Sequence, residues 1–199
     1  MSVSPVPRPA ARPLVLASRL AAVWALGYGL YRWYYALGGT VGMLGTPAVS
    51  LAEWRRINAV AGVLLFGAAL LPLVVVNAWG SPRARPLLLA LSWTIAVACV
   101  SHALIGIGQR VSSLAGALTI PYPFWRTIDR READLQALFF NEPWFLVEGL
   151  LWAVLAWRGA LRASPRRRWW VGSALVATAT STVIGLLSAF GVIGRLIVG

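Results

Sequence analysis

The chain contains no lysine. All 18 basic residues are arginine, set against six acidic residues, one histidine and one cysteine among 199 residues. Cys99, alone in an apolar run, can form no internal disulfide. One histidine, one cysteine and scattered acids argue against a zinc or haem site, so no cofactor is expected. There is no DDxxD-like cluster with which a metal could ionise a diphosphate. The net charge of +12 would suit nucleic acid. The arginines gather at the ends of apolar runs, however, where membrane topology uses them, and nucleic-acid binding is set aside. Arginine without lysine, with abundant Ala, Gly, Leu and Val, points to a high-GC bacterial genome such as that of an actinomycete.

What the chain has in abundance is apolar surface. It is 59% hydrophobic, with a mean hydropathy of +0.72, which marks an integral membrane protein. The expected fold is all-α, a bundle of five transmembrane helices with an interfacial loop segment. The spans read Pro13 to Leu37, Asn58 to Trp79, Pro86 to Ile107, Leu135 to Trp157 and Trp169 to Val198. Each has roughly the 20 residues that a bilayer core requires. Residues 1–12, rich in proline, read as a disordered cytoplasmic tail, and 13–199 as one transmembrane domain. Gly80-Ser81-Pro82 and Ser164-Pro165-Arg166 break the runs. Counting arginines puts ten on the N-terminal side and eight on the other, a narrow lean toward an inward N-terminus in a multi-pass plasma-membrane protein. Trp79, Trp157, Trp169 and Trp170 lie at span ends, as an interfacial aromatic belt requires.

Two long connections, Gly38 to Ile57 and Gly108 to Asp134, fall on the same side. Pro121 and Pro123 make part of the second an interfacial or re-entrant segment. Polar groups converge in the half of the bilayer beneath these loops. The first span brings Tyr28, Tyr31, Arg32, Tyr34 and Tyr35; the third brings Ser101, His102 and Gln109; the fourth brings Asn141, Glu142 and Glu148. A pocket open toward the loops is the economical inference.

Glu142 and Glu148 are the most informative pair. They lie inside a run dense in aromatics, LQALFFNEPWFLVEGLLWAVLAW. A carboxyl group in hydrocarbon is costly and is usually kept for function. Pro143 should kink the helix at Glu142, or restart it with Asn141 or Glu142 as cap. Glu148 stands about 9 Å deeper and about 120° around the helix. Structural roles compete with catalytic ones: Glu142 as a helix cap, Glu148 paired with a buried His or Arg. Arg32 either snorkels to the interface, holds a carboxylate such as Glu142 ionised, or binds an anionic head group. His102 either bonds a neighbour or tunes a glutamate's proton. Glu53, Asp129 and Asp134 read as solvated loop charges, the last two in surface ion pairs.

An acid deprived of water is hard to ionise and can serve as a general acid. Protonating an alkene or epoxide makes a carbocation, which Trp, Tyr and Phe faces stabilise. Tyr31, Trp33, Trp144, Phe145 and Trp152 are the candidate walls, with Tyr28 and Tyr35 lining the same pocket. The segment LFFNEPWFLVEG, the small size and the few spans resemble the small bacterial integral-membrane terpene cyclases that close a farnesyl chain already attached to an indole or a diketopiperazine, the drimentine type. The resemblance implies an apolar prenylated substrate and a ring closure begun by Glu142 or Glu148. The YYALGG stretch of the first span also resembles that of small actinobacterial membrane proteins, a likeness that implies no activity. Two other readings compete. One is a transporter or proton relay, disfavoured by five spans without an inverted repeat. The other is a non-catalytic assembly subunit, with Gly185, Ser188, Gly191 and Gly194 facing another helix.

Overall fold

Lipid offers no hydrogen bonds to the backbone, so apolar runs of this length must satisfy their peptide groups internally as helix. The computed structural model describes residues 12–79, 81–163 and 167–193. Helix α1 is Arg12–Ala36, α2 Leu51–Ala78 and α3 Arg85–Leu114. The next crossing is composite: α4, Arg130–Gln136, passes through one π turn, Ala137–Asn141, into α5, Glu142–Ala163. Helix α6 is Arg167–Ala189. Among the described residues five helical stretches are long and apolar enough to cross a membrane, so the chain is a multi-pass, all-α membrane bundle. The expected tail, the break at 164–166 and the end of the fifth span beyond residue 193 lie outside the described residues.

Helix α1 packs along α2, α3 along α5, and α6 against α3, while contacts between α1 and α5 join the two pairs. Small buried residues, Ala17, Ala21 and Ala25, let α1 approach closely. The Ser18 hydroxyl donates to the Pro72 carbonyl at 2.7 Å, tying α1 to α2 where proline interrupts the ladder. The apolar core lies at the end away from the long loops, built from Leu14, Val75, Trp79, Leu89, Trp152 and Leu155. Trp79 is therefore a core residue and not part of the interfacial belt. The turn after α2 folds its indole inward over Gly159, where any side chain would collide with it. Trp169 is exposed, as a belt residue would be.

Both long connections are shorter than the sequence suggests. Ser50 caps α2, accepting the Glu53 N–H at 3.2 Å, so AEWRRIN is helical. Helix α3 continues past Ile107 to Leu114, where Ala117 N–H bonds back to Ser112 O. Beyond α3, Trp125–Ile128 forms strand β2, antiparallel to strand β1, Gly45–Pro47, with Gly45 opposite Ile128. This ribbon fastens one loop to the other. Helix α6 stops at Ala189: Gly191 takes φ +71, and the Phe190 and Val192 amides turn back to Leu186 and Leu187.

Pro143 neither breaks nor restarts its helix. Glu142 is helical at φ −68, ψ −43, and its N–H reaches back five residues to Ala137 O. The widened π turn before Pro143 accommodates a ring that would otherwise crowd the carbonyl four residues earlier. Neither Asn141 nor Glu142 is a cap.

Leu155 is fully buried, whereas Leu150 on the same helix is 52% exposed. Leu155→Ala should lower unfolding stability in detergent by about 2–5 kcal/mol. Leu150→Ala should change it by less than about 0.5 kcal/mol. Chemical or thermal denaturation of both variants checks the assignment of core and lipid face.

Candidate functional site

The loop half of the bundle buries Asn58, Asp134 and Glu142, whereas the apolar end buries the hydroxyls of Ser18 and Ser92. Asp134, on α4, is buried and accepts from the Tyr122 hydroxyl at 2.6 Å, Ser113 at 2.6 Å and Arg110 at 3.2 Å. Arg110 also donates to the Tyr122 oxygen at 2.8 Å. This cluster locks the end of α3, the loop after it and the start of α4 together. It corrects the reading of Asp134 as a surface charge. Asp129 is the N-cap of α4, accepting the Glu132 N–H at 3.0 Å. Partial burial, and then the bond to Asp134, raise the Tyr122 phenol above its ordinary pKa of 10.0.

Beside this cluster lies a partly open cavity of about 150 Å³. Tyr28, Tyr31, Arg32, Tyr35 and Asn141 line it, as the sequence suggests. Arg110, Trp54, Tyr122, Trp125 and Gln136 complete it, none of them singled out from the sequence. Trp54 and Trp125 pack with ring centroids 5.3 Å apart, one from α2 and one from β2. Tyr31 and Tyr35 join hydroxyls at 3.0 Å, and Tyr35 donates to Val41 O at 3.1 Å. Arg32 lies over the Tyr28 ring at 5.5 Å and donates to Asn58 Oδ1 at 3.2 Å. Asn58 is itself buried and donates to Trp54 O at 2.9 Å. No carboxylate among the described residues forms an ion pair with Arg32, and its Nε is buried without a hydrogen-bond partner. The idea that Arg32 holds Glu142 ionised is therefore corrected.

Neither glutamate lines the cavity. Glu142 is 5% exposed and faces α3, where its carboxyl group occupies the space a side chain on Gly106 would need. Its Oε2 has no hydrogen-bond partner and stands 3.9 Å from His102 Nε2. The His102 side chain is 58% exposed, and its ring meets Phe145 edge-on at 4.4 Å. Glu148 accepts the Trp152 indole N–H at 2.8 Å, a partner that is neither His nor Arg, and its Oε2 is unbonded.

The aromatic walls are only partly assembled. Trp144 stacks on Trp24 at 4.3 Å, and Trp24 donates to Trp144 O at 2.9 Å. Tyr28 touches both Trp144 and Phe145, at 5.8 and 5.6 Å between centroids. These rings bridge from the cavity toward Glu142. Trp33 and Trp152 do not join them. Trp33 stacks on Phe66 of α2 at 6.1 Å, and Trp152 belongs to the core at the far end. Gly185 of α6 packs against another helix, at Ile105 of α3, and Ser188 is buried. Gly194 lies outside the described residues. No protein-family model, curated protein or solved structure matches the chain.

Removing Asp134 would leave the partly buried Arg110 uncompensated. Asp134→Ala should cost about 3–5 kcal/mol of stability, and adding Arg110→Met should recover part of it. A loss below about 1 kcal/mol in denaturant would contradict the cluster's structural weight. The raised Tyr122 pKa favours the folded state fully below pH about 10, and this contribution fades as pH climbs above 10. Melting temperature should therefore fall less steeply above pH 10 in Tyr122→Phe than in the parent. No lysine titrates in that range to obscure the comparison.

Proposed function

We propose that this plasma-membrane protein binds an amphiphilic small molecule at the loop end of its bundle and acts on the apolar part by proton transfer, as a cyclase or isomerase of a prenyl-type alkene. One observation carries this reading: the buried Glu142 carboxyl, with an oxygen free of hydrogen bonds, directly follows cavity-lining Asn141 and lies beside His102, whose ring meets Phe145, which in turn meets Tyr28. The protonated carboxyl gives its O–H hydrogen to one alkene carbon, leaving a carboxylate and a carbocation. A second double bond closes a carbon–carbon bond onto the cation, and the final cation gives a proton to the neutral His102 imidazole, which restores an alkene. The atoms of the substrate are conserved, so the net reaction is an isomerisation. Tyr28, Trp144 and Phe145 offer π faces to the cation. His102, with Nε2 3.9 Å from Glu142 Oε2, passes that proton on to the Glu142 carboxylate. No metal or cofactor enters the scheme.

A second reading has its own support. Neither carboxylate lines the cavity, and at about 150 Å³ it is smaller than the 300–1,000 Å³ typical of ligand pockets. That favours a protein that holds the head of an amphiphile without chemistry, as a carrier or an assembly subunit.

A host expressing the protein and fed a linear farnesylated indole distinguishes the two, with products resolved by retention time and NMR. Under the catalytic reading a cyclised isomer forms, and Glu142→Gln lowers its yield at least about 100-fold with expression intact. Undiminished yield from that variant removes Glu142 from the role. Absence of any isomer with binding preserved favours the second reading.

A further inference from the structure

We infer that the cavity is a receptor for an oxyanion head group, a phosphate or carboxylate carried on an apolar chain, with Arg32 as its principal contact. The two cavity arginines differ in one respect. Arg110 is neutralised by Asp134 at 3.2 Å, whereas the partners of Arg32 among the described residues, Asn58 and Tyr28, carry no charge. The cavity wall therefore carries, on Arg32, a positive charge without an ionic partner among the described residues; its Nε, like that of Arg110, has no acceptor. An ionised group kept beneath a membrane surface without a counter-ion is costly, and such arginines mark ligand sites. Guanidinium donors suit planar or tetrahedral oxyanions, which can take two parallel bonds.

The remaining walls fit the same ligand. At roughly 30 Å³ per water molecule, 150 Å³ has room for about five waters, the scale of one head group and not of a whole lipid. Asn141 supplies a further amide, while Tyr28, Trp54 and Trp125 supply apolar faces for the first carbons of a chain. Exposed Arg56, Arg126, Arg130 and Arg131 surround the loop end and attract anions toward it. This inference rests on the reading of the cavity as an amphiphile site and names the head of its ligand. It is measured by binding and not by turnover, so either can fail alone.

The test uses the full chain in phosphatidylcholine nanodiscs, with tryptophan fluorescence and native mass spectrometry as readouts. The probes are dodecyl phosphate, dodecanol and inorganic phosphate. Saturable binding of dodecyl phosphate, with at least about tenfold weaker binding of dodecanol, is expected. Arg32→Gln should weaken dodecyl phosphate at least about tenfold and leave dodecanol unchanged, while Arg56→Gln should behave as the parent. Competition by inorganic phosphate would identify a free anion as the natural source, and competition by added phosphatidylglycerol a lipid head group. Equal affinity for the phosphate and the alcohol, or unchanged affinity in Arg32→Gln, would overturn the inference. If Arg32→Gln fails to fold, the phosphate–alcohol comparison in the parent protein decides. Glu142→Gln should bind dodecyl phosphate as the parent does, which separates this claim from the catalytic one.

Discussion

A chain this apolar has little water to solvate the charges it carries below the membrane surface, so their partners must come from the protein or from a ligand. That constraint organises the loop end. Asp134 is buried and fully engaged by Tyr122, Ser113 and Arg110. The β1–β2 pair ties together the two loops that carry this cluster and the mouth of the cavity. With the loops fixed, Trp54 and Trp125 meet, and a hollow remains between them and the tyrosines of α1. Arg32 is the one cavity cation left without an ionic partner among the described residues.

The spans were legible because hydropathy and length are direct physical requirements of a bilayer, and both are written along the chain. The loop boundaries were less so. Ser50 and Glu53 form a capping pair that marks the start of α2, a signal present in the sequence but outweighed there by the polar look of AEWRRIN. The ribbon of Gly45–Pro47 with Trp125–Ile128 pairs segments far apart in sequence, and neither is long enough to show a strand pattern alone.

Half the site could be read in advance. Tyr28, Tyr31, Arg32 and Tyr35 recur at helical spacing on one span, which puts them on one face. Asn141 was legible by its place in the fourth span. Arg110 and Asp134 were not, because their pairing depends on a loop that returns over the end of α3. The glutamates were legible as buried acids but not in direction. A π turn adds one residue ahead of Glu142 and so rotates the downstream side chains by about 100° relative to a regular helix. Glu142 consequently faces Gly106 of α3, while Asn141 keeps its side of the cavity. Trp152 was drawn away by packing, which places it in the core at the other end of the bundle.

The size of the cavity decides how chemistry and binding can share the site. A head group fills it, and an attached chain must leave past Tyr28, Trp144 and Phe145, the rings that lead toward Glu142. Everything then turns on the Arg32 guanidinium, which has no ionic partner among the described residues. Side-chain nitrogen NMR of arginine-labelled protein reports that group directly. The account predicts that the Arg32 Nε–H signal moves strongly when dodecyl phosphate is added and stays put with dodecanol, while Arg110, already bound to Asp134, moves little. An Arg32 signal indifferent to the phosphate, or one that responds equally to the alcohol, would contradict it.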